Sequence, residues 1–180
     1  IKDKEYTGKP VTQNIVIKNG NVVLDDGTDY TVTYSANTKV GTVEVTITGT
    51  GSYIGEIKSS FDILPAKQQI QKLETRFKGF FIDWAQKGSA TGYEIEYSTN
   101  ADFKDSTVKK LTANKPDTLT ISGLTAGNKY YVRVRSYTNV GENVYYGAWS
   151  DSKNITTAKY DITKSAISGI STKTYTGKNI

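Results

Sequence analysis

The strongest constraint on the fold is the period of two with which apolar and polar residues alternate along the chain. Side chains of a β-strand point to opposite faces in turn, so this alternation predicts half-buried strands rather than amphipathic helices. Three runs show it most clearly: Val43-Glu44-Val45-Thr46-Ile47, Tyr93-Glu94-Ile95-Glu96-Tyr97 and Tyr130-Tyr131-Val132-Arg133-Val134. Threonine fills many of the polar positions, where a β-branched side chain suits a half-exposed sheet.

Short turn sequences separate these runs. Asn19-Gly20, Asp26-Gly27 and Gly49-Thr50-Gly51 carry the residue types that tight turns require. Turns of this kind connect antiparallel strands, whereas parallel strands need crossovers of roughly a dozen residues or more. The sequence therefore predicts an all-β protein.

The residue types that are missing limit the chemistry. The 180 residues include no cysteine and no histidine, which excludes a Ser-His-Asp triad, a thiolate nucleophile and the usual zinc sites. No grouping of carboxylates favours glycoside hydrolysis, so we expect no enzyme, no cofactor and no metal. No apolar run approaches the roughly 18 residues of a membrane span. The net charge of +5 comes without a nucleic-acid-binding motif, so we expect neither membrane nor nucleic-acid contact.

The two ends of the chain are similar in sequence. The first eleven residues, IKDKEYTGKPV, return at positions 170–180 as ISTKTYTGKNI. This repetition predicts a piece of a longer tandem array. The Leu64-Pro65-Ala66 and Thr157-Ala158-Lys159 stretches end strand-like runs, so we place domains at 1–65 and 66–158 and the beginning of a further repeat at 159–180.

The second predicted domain resembles a fibronectin type III module over nearly its whole length. The resemblance rests on Trp84, on Tyr93–Tyr97, and on the stretch from Leu119 to Tyr137, with Trp149-Ser150 where the final strand of such modules begins. It implies that Trp84, Leu124 and Tyr130 are structural: a core tryptophan and a tyrosine corner, in which a phenol hydroxyl bonds the preceding chain. Ala126 stands where the family usually has proline.

The first predicted domain resembles a bacterial Ig-like repeat of cell-surface proteins. The motifs that carry the resemblance are Tyr6-Thr7-Gly8-Lys9, Gly27-Thr28-Asp29-Tyr30 and Gly49-Thr50-Gly51-Ser52-Tyr53. It implies that Tyr6, Gly8, Asp29 and Tyr30 are structural. The two resemblances predict two consecutive β-sandwiches, Ig-like then fibronectin type III, with a partial third unit. Nothing corresponding to 161–168 precedes the first YTGK, so we expect an open sheet edge in this domain.

An aromatic cluster near the last strand is the best candidate for a contact site. Tyr145, Tyr146 and Trp149 follow a predicted loop at one end of the second domain, where Ig-type folds carry binding residues. Such rings either stack on a sugar or pack against the neighbouring domain. The second use is commoner in tandem arrays, and exposed, coplanar rings would favour the first.

Two further groups have structural explanations. Asp25-Asp26-Gly27-Thr28-Asp29 has the carboxylates of a calcium loop but not its spacing, and a tight turn explains it equally well.

Arg133 and Arg135 could bind an acidic ligand, yet Glu94 and Glu96 lie on the strand expected beside theirs. We therefore expect cross-strand ion pairs.

These observations predict a structural, non-catalytic spacer in a large bacterial protein, at the cell surface, in the cell wall or secreted. Its partners would be neighbouring repeats of the same chain, and a contribution to adhesion is expected from loop tips or from many weak copies. The alternative is a module that binds host or plant glycans or glycoproteins, as an accessory to a carbohydrate-active enzyme. We expect a monomer, with head-to-tail strand addition as the alternative mode of association.

Overall fold

The computed structural model describes residues 1–86, 88, 90–169 and 177. The second YTGK copy, apart from Gly177, and most of the predicted third unit after Gly169 lie outside the described residues. The all-β prediction is confirmed: the described residues form fourteen strands and one 3-10 turn, Ile162–Lys164. Within the same residues, no helix has the length and hydrophobicity needed to cross a bilayer.

The first six strands make up what we call the first unit. They are β1 (Lys4–Glu5), β2 (Lys18–Asn19), β3 (Val22–Val23), β4 (Tyr30–Tyr34), β5 (Gly41–Gly49) and β6 (Glu56–Leu64). The main sheet has the order β1-β6-β5-β4, and β2 pairs with β3 as a separate hairpin. All pairs are antiparallel except β1 with β6, which is parallel.

Alternation along β5 builds the core of the first unit. Val43, Val45 and Ile47 point inward, with at most 6 % of each residue exposed. Phe61 and Ile63 of β6 and the side chains of the preceding loops pack against them. Burial of such apolar surface is the main free-energy term that favours this unit's folding.

The remaining eight strands make up the second unit. They are β7 (Gln69–Arg76), β8 (Gly79–Ala85), β9 (Gly92–Ser98), β10 (Thr107–Leu111), β11 (Thr118–Ile121), β12 (Lys129–Val140), β13 (Asn143–Tyr146) and β14 (Lys153–Thr156). One sheet has the order β11-β8-β7, and the other has β10-β9-β12-β13, with β14 also on β12. The two sheets face each other as a sandwich over one hydrophobic core.

Large aromatic residues fill this second core. The rings of Trp84 on β8 and Tyr93 on β9 are fully buried and meet edge to face, with centroids 5.2 Å apart. That arrangement brings the positive edge of one ring to the negative face of the other. No residue of the first core belongs to the second, so each unit has its own hydrophobic core.

Candidate functional site

The three aromatic residues of the candidate site, Tyr145, Tyr146 and Trp149, do not share one face. Tyr145 and Tyr146 both lie on β13, which pairs with β12, and successive side chains on a strand point to opposite faces. Tyr146 lies on the same face as Trp149, whereas Tyr145 points toward the first unit. The three aromatic rings are partly buried, and they do not form one coplanar group.

On the outer face of the second unit, arginine side chains alternate with aromatic rings. The Arg135 guanidinium carbon lies 4.3 Å from the Trp149 ring centroid and 4.2 Å from that of Tyr146. Arg133 lies 4.7 Å from the Trp149 centroid and 4.0 Å from that of Phe103. Cation–π contacts of this kind contribute about 0.5–2 kcal/mol each, depending on desolvation. We call the set Phe103, Arg133, Trp149, Arg135 and Tyr146 the arginine–aromatic stack.

Two glutamates of β9 neutralise the arginines of the stack. Arg133 Nε donates to Glu96 Oε2 at 2.5 Å, and Arg135 donates to Glu94 Oε2 through Nε at 2.9 Å and Nη2 at 2.7 Å. Ser106 Oγ donates to the second oxygen of Glu96. Both glutamates are only 7 % exposed. The expected cross-strand ion pairs are therefore present. The stack covers the face of β9 on which Glu94 and Glu96 lie.

Tyr145 contacts the first unit. Its hydroxyl lies 2.9 Å from Thr42 Oγ1, which in turn donates to Asp62 Oδ1 at 2.7 Å. The side chain of Val140, on the partner strand of the same hairpin, lies against Gly41. The hairpin β12–β13 therefore touches the beginning of β5, and this contact joins the two units.

Burial and hydrogen bonds fix the segment that connects the two units. Pro65 and Ala66 are buried, and the Ala66 carbonyl accepts from Gln68 Nε2 at 2.6 Å and from Ser136 Oγ at 3.1 Å. Gln68 Nε2 also donates to Ser136 Oγ at 3.0 Å, and Gln68 is only 2 % exposed. Buried polar groups in such a network fix the backbone because an alternative conformation would leave them unsatisfied. We call residues 65–68 the linker.

Lys67 ties the linker to both units. Its backbone N–H donates to Glu5 Oε1 at 3.0 Å, and its ammonium group donates to Asp151 Oδ1 at 2.8 Å. This hydrogen bond, together with the charge of Lys67, holds the pKa of the Asp151 carboxyl below its ordinary value. The Asp151 side chain is 96 % exposed, so the ion pair is worth little by itself.

The residues that the fibronectin resemblance marked as structural lie in or beside the second core. Trp84 is fully buried, and Leu124 packs against the core from its edge. The Tyr130 hydroxyl accepts a hydrogen bond from the backbone N–H of Thr125 at 3.3 Å. That bond crosses the turn into β12, which is the geometry of a tyrosine corner.

The residues marked in the first unit lie at turns, in the first core and at the joint between the units. Tyr6 packs against the first core, and its ring lies next to Gly88 of the second unit. Gly8 has a φ of +76°, a left-handed conformation that favours glycine. Tyr30 is 4 % exposed, and its hydroxyl donates to the carbonyl of Ile15 at 3.2 Å.

The acidic loop at 25–29 is a hydrogen-bonded turn. Asp29 Oδ2 accepts from the backbone N–H of Asp25 at 3.0 Å, and the Asp29 N–H donates to the Asp25 carbonyl at 2.8 Å. Gly27 adopts a φ of +83°. Among the described residues, no three acidic side chains converge as a metal site would require. The carboxylate of Asp29 thus serves to close the turn, as the turn interpretation predicts.

Three residues of these sites were not marked by the sequence. Phe103 lies in a loop with a φ of +61°, and no alternation points to its place in the stack. Gln68 and Ser136 are ordinary polar residues in strand-like surroundings, and only the pairing of distant segments brings them together. The proline at 65 was the one available signal for the linker.

Comparison with known proteins supports one of the two resemblances. The sequence model of the fibronectin type III domain matches residues 72–153. No curated protein matches the chain.

Three solved structures show what the chain is similar to. The chicken CNTN1 FN1-FN3 domains are 15 % identical, with a TM-score of 0.45, over 67 % of this chain and 44 % of that one. A myokine structure is 12 % identical, with a TM-score of 0.40, over 51 % of this chain and 93 % of that one. A beta-1,2-glucanase from Parabacteroides distasonis is 18 % identical, with a TM-score of 0.42, over 66 % and 18 %. The match thus spans less than half of the CNTN1 chain and about a fifth of the glucanase. From the family match, we conclude that residues 72–153 form a fibronectin type III domain.

Proposed function

We propose that this chain is a non-catalytic spacer segment of a large bacterial surface or secreted protein, in which the first unit is an Ig-like repeat of the YTGK type. The observation that carries the proposal is the joint between the two units. Fibronectin type III domains are typically structural modules rather than enzymes, and the spacer role requires neither a cofactor nor a catalytic residue.

The joint has the properties that a spacer needs. Only residues 65–68 separate β6 from β7, and Ala66, Lys67 and Gln68 all make hydrogen bonds. Units of one chain move relative to each other unless their interface restrains them. Here the linker is anchored to Ser136, and the Tyr145–Thr42 contact lies outside the linker. Two separate attachments oppose both bending and twisting, so that a distal domain would be held away from the cell.

The aromatic cluster fits this role better than a glycan site. A sugar stacks on an exposed aromatic face, yet Arg135 lies over both the Tyr146 and the Trp149 rings. Tyr145 is engaged with Thr42. The alternative of a glycan- or glycoprotein-binding module is favoured by one observation, the partial exposure of Tyr146 and Trp149.

A binding screen distinguishes the two functions. The immobilised chain would be exposed to mucin glycans, plant polysaccharides and matrix proteins, beside a Tyr146→Ala, Trp149→Ala variant. Tyr131→Ala, which alters a ring of β12 outside the stack, is the matched control. The spacer role predicts no saturable binding by any of the three proteins. Saturable binding that the control keeps and the double variant loses would overturn it in favour of the glycan-binding module.

A further inference from the structure

The first unit contains an extended segment that belongs to no sheet. From residue 11 to residue 17 the burial alternates: Val11 is buried, Gln13, Ile15 and Ile17 are partly buried, and the residues between them are exposed. This is the period of a β-strand with one face on the core. We call residues 11–17 the acceptor segment.

Tyrosine side chains satisfy the middle of one edge of the acceptor segment, and backbone groups of Asn37 and Leu24 bond its two ends, Val11 and Ile17. The Tyr34 hydroxyl accepts from the backbone N–H of Gln13 at 3.1 Å and donates to its carbonyl at 3.2 Å. The Tyr30 hydroxyl donates to the carbonyl of Ile15 at 3.2 Å. These tyrosines occupy the positions that a paired strand would otherwise fill.

The opposite edge is open. In an extended strand the N–H and C=O groups of alternate residues point to opposite sides, so those of Thr12, Asn14 and Val16 point away from the tyrosines. No hydrogen bond joins these backbone groups to the part of the chain that the structure describes. Val16 is also 58 % exposed. A row of unpaired backbone groups is a template for an added strand.

The same chain carries a segment without a place in either core. Residues 161–163 and 165–169 are exposed, with Ile162 at 77 % and Ile167 at 82 %. The hydrogen bonds of this segment are local, such as those from Thr163 to Asp161 and from Ser165 to Tyr160. Ile162–Lys164 form a 3-10 turn and the other residues belong to no strand, and the large exposed apolar side chains mark the segment as a binding element. We call residues 161–169 the donor segment.

The internal repeat relates the two segments. Ile170 corresponds to Ile1, so the donor segment directly precedes the second copy of the opening pattern. In the first copy, the Lys2 carbonyl accepts from Gln13 Nε2 at 2.6 Å, which puts the beginning of the pattern beside the acceptor segment. The bonds from Tyr34 to Gln13 and from Tyr30 to Ile15 show that the acceptor segment runs antiparallel to β4. The pairing within the main sheet makes β1 parallel to β4, so β1 and the acceptor segment run in opposite directions. A strand that leads into the pattern would thus run antiparallel along the open edge.

We propose that the acceptor segment binds the donor segment of a second copy of this chain by antiparallel strand addition. Backbone hydrogen bonds to Thr12, Asn14 and Val16 would supply the affinity, and apolar side chains of the donor would cover exposed surface such as Val16. The proposal goes beyond the spacer role, which depends only on the joint within one chain. It describes how successive copies join head to tail.

Sedimentation velocity of the native chain and two variants tests the proposal. In Asn14→Pro, proline blocks the open edge without removing a hydrogen bond to any described residue. In Ile162→Asp, Ile167→Asp, charges disrupt the donor. Each variant should weaken self-association by about tenfold or more. Val108→Asp, Val144→Asp alters two exposed valines of the second unit and should associate like the native chain.

Mixing the two variants gives the sharpest result. One keeps a working donor and the other a working acceptor, so the mixture should form dimers that neither variant forms alone. Native chains that remain monomeric at millimolar concentration, or variants that associate as well as the native chain, would overturn the proposal.

A peptide titration decides the matter even if a variant fails to fold. A peptide of residues 160–169, added to the ¹⁵N-labelled native chain, should shift the amide resonances of Thr12, Asn14 and Val16. A scrambled peptide should not. If the native peptide leaves these resonances unchanged at millimolar concentration, the acceptor segment does not bind the donor segment, and the proposal is wrong.

Discussion

The hydroxyl of Tyr145 lies 2.9 Å from the hydroxyl of Thr42, although the two residues are 103 positions apart and belong to different units. This contact is remote from the linker in sequence. It therefore gives the joint a second point of attachment, on which the spacer account depends.

The Tyr145–Thr42 contact should be measurable as a coupling between the units. We expect Tyr145→Phe and Thr42→Val each to lower the free energy of unfolding, and the double variant to lose less than the sum by about 0.5–1.5 kcal/mol. Urea denaturation of the four proteins in a double-mutant cycle measures this coupling. A coupling of zero would show that the hydroxyl contact does not hold the units together.

The buried amide of Gln68 should matter far more than its exposed neighbour. Gln68→Ala removes a donor from the Ala66 carbonyl and from Ser136, and should lower the free energy of unfolding by about 1–3 kcal/mol. Chemical denaturation measures the change. Gln69→Ala, at an exposed position on β7, is the control and should change it by less than about 0.5 kcal/mol. Equal effects would contradict the role assigned to the network.

Breaking the arginine–aromatic stack should destabilise the second unit. Arg135→Ala leaves Glu94 nearly buried without its closest partner and removes two cation–π contacts, so we expect a loss of about 2–4 kcal/mol. Thermal or urea unfolding measures it. The control is Lys72→Ala, which breaks the exposed ion pair with Glu74 and should cost no more than about 1 kcal/mol. Similar losses in both variants would mean that the stack contributes no more to the free energy of unfolding than an exposed ion pair.

The Lys67–Asp151 ion pair should give a pH signature. Because the folded-state pKa of Asp151 is lowered, the pair stabilises the fold above the ordinary aspartate pKa of 3.8 and loses this effect as the pH falls through the lowered value. In Lys67→Met, the pKa of Asp151 should rise toward 3.8. An NMR titration of the Asp151 carboxyl measures both values, and an unchanged pKa would rule out the ion pair in solution.

Much of the fold could be predicted because local pattern and tertiary structure agree. Period-two runs such as Val43–Ile47 became strands with the expected face buried. The pairing of Arg133 with Glu96 follows from the strand order that the fibronectin resemblance implies. In these places, each residue's local preference coincides with its tertiary environment.

The sites could be predicted only in part because they depend on contacts between distant segments. The ion pairs of Glu94 and Glu96 were expected, but nothing in the sequence predicts that the stack covers these two side chains. Tyr145 and Tyr146 are adjacent in sequence, yet the strand sends them to opposite faces, so the sequence cluster is not a structural cluster. The parallel pairing of β1 with β6 has no local signal in the sequence. An open edge was expected in the first unit, but the sequence does not indicate that it lies along residues 11–17.

The distribution of distances between the two units tests the spacer account most directly. The chain contains no cysteine, so a variant with Asn19→Cys and Lys109→Cys would take spin labels only at one exposed site on each unit. Pulsed electron-spin resonance then measures the distances between the labels. A variant with a Gly-Ser insertion after Ala66 provides the reference for a free hinge. The account predicts one narrow distribution for the uninterrupted chain and a broad one for the insertion, whereas equally broad distributions would contradict it.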